Sequence, residues 1–289
     1  MSHSFHKKGK LYLVGTPIGN LKDITLRALD TLRLVDVIAA EDTRRTLGLL
    51  NHYEIKKPLI SYHEHNERKS GQKILSLLDA GQSIALVSDA GTPAISDPGQ
   101  RLVKEARQMG IEVLSIPGVS AVTAALSISG FECPPCIFLG FPPARGKKRK
   151  EFFTYHAKEP MTMVLFESPV RFLKTLKDIL SYWGNRDVFI ARELTKSYEE
   201  IFWGTVEEAL SHWTERVRGE ITLVVSGISP QPQKVDISLD LELSIANDLK
   251  ELVSQQGLSW RDAIRKVAEE KNLPRGVVYR NALRIQQGD

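Results

Sequence analysis

Cysteine is scarce, with two in 289 residues, and at this length the chain is not a disulfide-stapled miniprotein. No apolar run approaches the ~20 residues of a membrane span. The longest, Ala121 to Ile128, is rich in small residues and is broken by Gly130, Glu132, Pro134 and Pro135. The first ten residues carry His3, His6, Lys7 and Lys8 around no apolar core, so they do not read as a signal peptide, and a cytoplasmic protein is expected. Neither G-x-G-x-x-G nor G-x-x-x-x-G-K-[ST] occurs, which leaves dinucleotide binding and nucleoside triphosphate hydrolysis without support. No His/Cys cluster has ligand spacing, and no metal is expected. Internal repeats and low-complexity tracts are also lacking.

What remains is an ordinary globular composition, 42% hydrophobic and 26% charged, long enough for two domains. The two cysteines fall in C-P-P-C at 133–136, where the prolines predict an extended connection and plain loop thiols rather than a redox pair. The net charge of +4 is unevenly placed. Ala144 to Lys150 holds five cations and no acid, and Leu258 to Asp289 holds seven cations against four acids. These segments read either as solvated surfaces or as an electrostatic footprint for a polyanion such as nucleic acid.

In the first half, strand-like runs at Leu11–Val14, Val37–Ala40, Pro58–Ser61, Ser83–Ser88 and Ile111–Ile116 alternate with helical patterns. One helix is expected behind Asp23, one after Asn66 and one from Asp97-Pro98 to Gly110. Such alternation predicts a mostly parallel α/β domain over 1–120. From 121 to 228, strands at Met161–Phe166, Asp187–Ala191, Glu199–Trp203 and Ile221–Val225 lack regular intervening helices, so an α+β domain with a mixed sheet is expected. Ser168-Pro169 is expected to cap a helix, and T-V-E-E at 205–208 reads as a capping box. A linker at 229–234 then precedes a small helical module over 235–289. Its apolar stripes are Ile245, Leu249, Leu252 and Val253, then Ala263, Ile264, Val267 and Ala268. The stretch G-L-S-W-R-D-A-I-R-K resembles a helix-turn-helix. Arg261, Arg265, Lys266, Arg275, Arg280 and Arg284 would then meet phosphates, and the competing reading is a solvated helical cap.

Ligands of parallel sheets bind where loops leave the carboxyl ends of strands. Three such loops are rich in backbone-shaping residues: G-T-P-I-G-N at 15–20, D-A-G-T-P-A-I-S-D-P-G at 89–99 and P-G-V-S-A at 117–121. Together they predict a pocket made largely of main chain. The loops, with S-D-A-G-T-P at 88–93 and I-P-G-V-S-A at 116–121, resemble those of the tetrapyrrole methylase superfamily, although Pro17, Ile18 and Asn20 depart from that superfamily's usual G-x-G-P-G-D. A-E-D-T-R-R-T at 40–46, Y-H-E-H-N at 62–66, F-E-S-P-V-R at 166–171 and R-E-L-T-K at 192–196 are similar to one branch of it, and the similarity runs from about Lys10 almost to the end.

The resemblance implies a two-domain fold with S-adenosylmethionine bound between the domains. It implies methylation of the 2′-hydroxyl of a cytidine in small-subunit ribosomal RNA, free or in the 30S particle, by a homodimer. The alternatives are a small-molecule methylase of the same fold and an RNA-binding protein without activity. The cofactor residues so implied are Gly15, Pro17, Ile18, Asp89, Gly91, Thr92, Pro117, Gly118, Ser120, Ala121 and Phe166. In-line methyl transfer needs alignment rather than a metal, and a weakly acidic hydroxyl benefits from a base and from cations. The branch motifs contain both, and His63 and Glu64 with Arg192 and Lys196 are the expected catalytic groups.

Overall fold

Short buried strands separated by amphipathic helices pack most readily as a parallel sheet with helices returning over its faces. The computed structural model describes residues 8–228, 239–255, 257–271, 273, 278–279 and 281–283. Its first sheet contains β1 (Lys10–Val14), β2 (Val37–Ala40), β3 (Leu59–Ser61), β4 (Ile84–Val87) and β5 (Glu112–Ile116), all parallel, in the order β3-β2-β4-β1-β5. Every residue of the central β2 and β4 is buried, as expected of strands covered on both faces.

The helices here are α1 (Leu26–Leu34), α2 (Thr43–His52), α3 (Glu67–Asp79) and α4 (Gln100–Gln108). Two starts differ from expectation. The cap of α1 is Thr25, whose side chain accepts the Ala28 N–H, because Asp23 is taken up in a 3-10 turn capped by Asn20. Helix α4 begins behind Gly99, not at Asp97-Pro98, so Asp97 is left out of the helix. The polar first turn and Gly48 of α2 hide it from an apolar-stripe reading, and Asp42 caps it through the Arg44 N–H.

The second sheet contains β6 (Cys136–Gly140), β7 (Thr162–Glu167), β8 (Asp187–Arg192), β9 (Glu200–Thr205) and β10 (Ile221–Val225), in the order β6-β7-β10-β8-β9. Only the β6–β7 pair is parallel, so the sheet is mixed. Strand alternation sends Val164, Phe189, Ala191 and Val224 to one face, where α5 (Ala121–Ser129) packs through Ala125. Met163, Leu165, Val188, Ile190 and Leu223 face the other way, onto α6 (Gly146–Tyr155), α7 (Phe172–Trp183) and α8 (Val206–His212). The 205–208 capping box forms. Ser168-Pro169 caps nothing: α7 starts at Phe172, and the Ser168 N–H donates to Glu167 Oε1 at 2.7 Å. Cys133 and Cys136 are free thiols, the latter opening β6.

Helix α6 begins inside the basic stretch at 144–150. The cations of that stretch are not equivalent. Lys147, Lys148 and Lys150 are exposed, whereas Arg149 is buried and donates to Asp178 Oδ2 (2.7 Å), Thr175 Oγ1 (2.8 Å) and the Pro143 carbonyl (2.9 Å).

The chain divides into two compact units, Met1–Ile228, which holds both sheets, and Ser229–Asp289. In the second, α9 (Leu239–Ser254) and α10 (Trp260–Glu270) bury Ile245, Leu249 and Leu252 with Ala263, Val267 and Ala268. The expected linker at 229–234 and the cations Arg275, Arg280 and Arg284 lie outside the described residues. Among the described residues, no helix is long and apolar enough to cross a membrane.

Candidate active site

The loops leaving β1, β4 and β5 are joined through main chain. Thr16 and Gly91 exchange N–H···O bonds of 2.9 and 3.0 Å, and the Gly15 N–H donates to the Ile116 carbonyl at 3.0 Å. Gly15 and Gly118 meet backbone to backbone, where a Cβ on Gly15 would stand 2.8 Å from Gly118 N. Gly19 then carries the first loop onto the segment after β8: a Cβ there would fall 2.4 Å from Lys196 Cγ and 2.9 Å from the Leu194 carbonyl oxygen. The Asn20 N–H donates to Thr195 Oγ1 at 3.1 Å in the same contact. Glycine at these positions is a requirement of close approach.

Between the two sheets this frame leaves a cleft of about 370 Å³. Ile18, Glu41, Arg45, the 89–97 loop and Ser120–Val122 line it from the parallel-sheet side, and Phe141, Phe166–Pro169 and Glu220–Thr222 from the other. A second pocket of about 220 Å³ lies against Thr16–Gly19, Leu21, Arg45, Thr46, Leu49, Lys196 and Glu220. The two share Ile18, Arg45, Asp89, Ala90 and Glu220.

Four of the five non-glycine residues with positive φ among the described residues lie in the two loops that supply Asp97 and Lys196. Ala94 (φ 68°) and Ser96 (φ 63°) occupy the left-handed region in the loop after β4, as do Glu193 (φ 52°) and Thr195 (φ 68°) after β8. Each such residue costs of order 1–3 kcal/mol, so its surroundings must impose it, and functional sites are where such strain collects. Here it turns Asp97 into the cleft rather than onto the end of α4.

Two carboxylates of the cleft, Asp97 and Glu41, are perturbed. Burial, reinforced by the charges of Glu41, Asp89 and Glu220 and opposed by a hydrogen bond from Ser88, pushes the Asp97 carboxyl up to about 6. Glu41 is also raised, by burial first and by Asp89 second. Burial works against the Lys196 ammonium, yet its hydrogen bonds to Glu193 (2.8 Å) and Glu220 (3.1 Å) prevail and its pKa is raised. Lys196 is therefore a fixed cation, unsuited to accept a proton near neutral pH.

The structure sorts the expected cofactor residues into three places. Ile18, Asp89, Gly91, Thr92, Ser120, Ala121 and Phe166 line the larger cleft, and Pro17 lines the smaller pocket. Gly15, Pro117 and Gly118 line neither; the two glycines hold the β1 and β5 loops together behind the walls.

The four expected catalytic residues are not brought together. Lys196 lines the smaller pocket, but Arg192 is held by Glu200 (2.6 Å) and the Arg218 carbonyl (3.1 Å) and lines neither. Glu64 is 78% exposed and pairs with His65 at 3.3 Å. His63 lines neither pocket, and its buried Nδ1 has no partner among the described residues. Asp97 and Glu220 were missed because their sequence contexts read as a helix start and a pre-strand residue. The doubled acid-glycine turns of the 89–99 loop were the available signal.

Glu167, wholly buried at the cleft wall, is held by Arg171 Nη2 (2.7 Å) and Thr175 Oγ1 (2.5 Å), with Arg149 Nη1 at 3.9 Å.

Comparison with known proteins agrees with this architecture. Residues 10–210 match the family described as Tetrapyrrole (Corrin/Porphyrin) Methylases. A protein of Thermotoga maritima named ribosomal RNA small subunit methyltransferase I is 56% identical over 220 residues, covering 76% of this chain and 99% of that protein. A protein of the same name from Synechocystis is 45% identical over 280 residues, covering 96% and 99%. A solved diphthine synthase shares the fold at a TM-score of 0.60 and 14% identity, covering 75% of this chain and 90% of that one.

Proposed function

The chain belongs to the tetrapyrrole methylase family, in its ribosomal RNA small subunit methyltransferase I branch, and from that premise we propose that its cleft methylates the 2′-hydroxyl of a cytidine in small-subunit ribosomal RNA. It is an S-adenosylmethionine-dependent methyltransferase of ribosomal RNA. The observation that carries the finer reading is a cleft with apolar and aromatic walls lined by two perturbed carboxylates, Glu41 and Asp97, and an adjoining pocket lined by a fixed cation, Lys196, the two sharing Glu220, which accepts from Lys196.

The cleft fits the cofactor. At Gly91 (φ 78°) a side chain would start 3.6 Å from Ile18 Cγ2, on the cleft wall, so the missing Cβ leaves room for a ligand. Phe141 and Phe166 and the carboxylates suit a ligand that is both aromatic and cationic. S-adenosylmethionine, when bound, supplies a methyl group made electrophilic by a positively charged sulfur. Ile18, Gly91, Thr92, Ser120, Ala121 and Phe166 would hold it, with Gly15, Pro117 and Gly118 setting the loops behind them.

A ribose hydroxyl must lose its proton as the new bond forms. The Asp97 carboxylate, half-ionised near pH 6 and ionised at neutral pH, accepts that proton, and the Lys196 ammonium stabilises the developing negative oxygen. These roles replace the expectation centred on His63, Glu64 and Arg192. A tetrapyrrole acceptor is not favoured, because the relatives matched over 99% of their lengths are named for ribosomal RNA. The reading also includes a cytoplasmic homodimer acting on the 30S particle, with division of the chain at 1–120, 121–228 and 235–289.

Incubating labelled S-adenosylmethionine with small ribosomal subunits, naked ribosomal RNA and a tetrapyrrole tests the reading. Label should enter RNA and leave one phosphodiester resistant to alkali. Labelled RNA without such resistance would move the methyl group to a base and defeat the ribose assignment.

Two variants bear on the parts. Gly91→Val should lower S-adenosylmethionine affinity by about tenfold or more, since a β-branched residue at φ 78° is strained and its side chain enters the cleft. Calorimetric titration reads this, and wild-type affinity in a folded variant contradicts it. Replacing Lys147, Lys148 and Lys150 by Ala should weaken RNA binding and flatten its salt dependence by about two to three in logarithmic slope, with cofactor affinity unchanged. An unaltered slope would make this face of α6 merely solvated.

A further inference from the structure

The smaller pocket lies outside the cleft assigned above to the cofactor, yet shares a wall with it. Displacement at a methyl group requires acceptor and donor within about 3 Å, so the two ligands must occupy abutting spaces. Ile18, Arg45, Asp89, Ala90 and Glu220 form such a common wall. Resting on the methyltransferase reading above, we propose that the smaller pocket receives the target pyrimidine nucleotide, turned out of its RNA stack, with its base against Leu21 and Leu49.

Size is the first support. At about 220 Å³ the pocket falls below the ~300–1,000 Å³ of drug-sized ligand sites, which suits a single ring with its ribose better than a cofactor carrying a purine and an amino acid. Chemistry is the second. Enzymes that act on one nucleotide of a folded RNA take it out of the stack, hold the base between apolar groups and read its edge by hydrogen bonds. Leu21, Leu49 and Pro17 supply the apolar contacts. Asp89 and Glu220 are carboxylates of the kind that accept from a cytosine amino group. Arg45, 65% exposed and 3.4 Å from Asp89, has guanidinium donors to spare for a flanking phosphate.

The location adds a third support. The pocket closes through contact between the Gly19 loop and the strained 193–196 segment, so its shape depends on both sheets. A nucleotide held there lies over the same Asp89–Ala90 turn that lines the cofactor cleft, which is where the reacting hydroxyl has to be.

The test fills the pocket. In the full-length protein, Leu49→Trp on α2 and, separately, Leu21→Trp in the loop after β1 should each leave S-adenosylmethionine affinity within about threefold of wild type and lower methyl transfer to small ribosomal subunits by about 100-fold or more. Saturation-transfer NMR with cytidine 5′-monophosphate, S-adenosylhomocysteine being present, should give a signal for wild type that both variants lose. Loss of cofactor affinity in step with activity would assign the pocket to the cofactor and overturn the proposal. Undiminished transfer by either folded variant would also overturn it. A wild-type protein that binds S-adenosylmethionine but transfers nothing to RNA would instead defeat the underlying reading. A wild type that methylates RNA while both variants keep pace defeats this inference alone.

Discussion

Asp97→Asn should lower kcat for RNA methylation by about 100-fold or more, the range a positioned general base supplies, while changing cofactor affinity far less. The amide keeps the shape of the side chain and cannot take a proton. The wild-type rate should fall as pH drops through about 6, where Asp97 is protonated, and this limb should vanish in the variant. The groups facing Asp97 are Glu41 after β2, Ser88 and Asp89 after β4, and Glu220 before β10, with Arg45 balancing Asp89.

Stability supplies an independent sign. The folded state raises the Asp97 pKa above that of the unfolded chain, so the folded form holds its proton more tightly and ionisation costs stability. That cost is absent below about pH 4, grows through about 6 and is complete above it. Asp97→Asn removes it and should stabilise the protein at pH 8 but not at pH 4, by at most about 1–2 kcal/mol once the solvated part of the carboxylate is allowed for, which thermal melts read as a higher Tm at pH 8 alone. A variant with full activity refutes the proton-acceptor role. One that loses cofactor affinity in proportion to activity makes Asp97 a binding group instead.

Arg149→Met should destabilise the protein by about 3–5 kcal/mol, lowering Tm by about 10 °C or more. Its guanidinium is almost wholly buried and joins Asp178, Thr175 and the Pro143 carbonyl, with the wholly buried Glu167 carboxylate at 3.9 Å. Removing it leaves Asp178 without its guanidinium partner and the wholly buried Glu167 with one cation fewer nearby, Arg171 still bound to it. Lys148→Met, one residue away on the exposed face of α6, should stay within about 0.5 kcal/mol of wild type. Thermal melts of the two variants side by side decide the matter, and equal melting temperatures would show that the buried network contributes nothing. The same measurement separates cations free to meet RNA from one that holds the cleft wall in place.

Much of the architecture was legible because it follows from periodicity. The runs at 11–14, 37–40, 84–87 and 221–225 are short, apolar and bounded by turn residues, and all form strands, and the capping box at 205–208 is a local reciprocal pair of hydrogen bonds that needs no distant partner. Glycine and proline at 15–20, 89–99 and 117–121 likewise marked the loops that meet at one sheet edge, since backbone freedom and rigidity are properties of single residues.

Side-chain roles were not local in that sense, and there tertiary structure decided. Nothing near Arg149 in the chain distinguishes it from Lys148, because its partners arrive from α7, 26 and 29 residues away. Arg192 carries the same motif as Lys196, yet its bond to Glu200 across the β8–β9 pair withdraws it from the cleft, while a glycine at 19 draws the Lys196 stem inward. Asp97 reads as a helix cap until Gly99 takes that place and the left-handed Ser96 turns it toward Glu41. Strands and turns are set by the preferences of neighbouring residues, which the sequence alone determined. A carboxylate's pKa or a cation's availability is set by whatever charge the fold brings within a few ångströms, and only the folded chain specifies that.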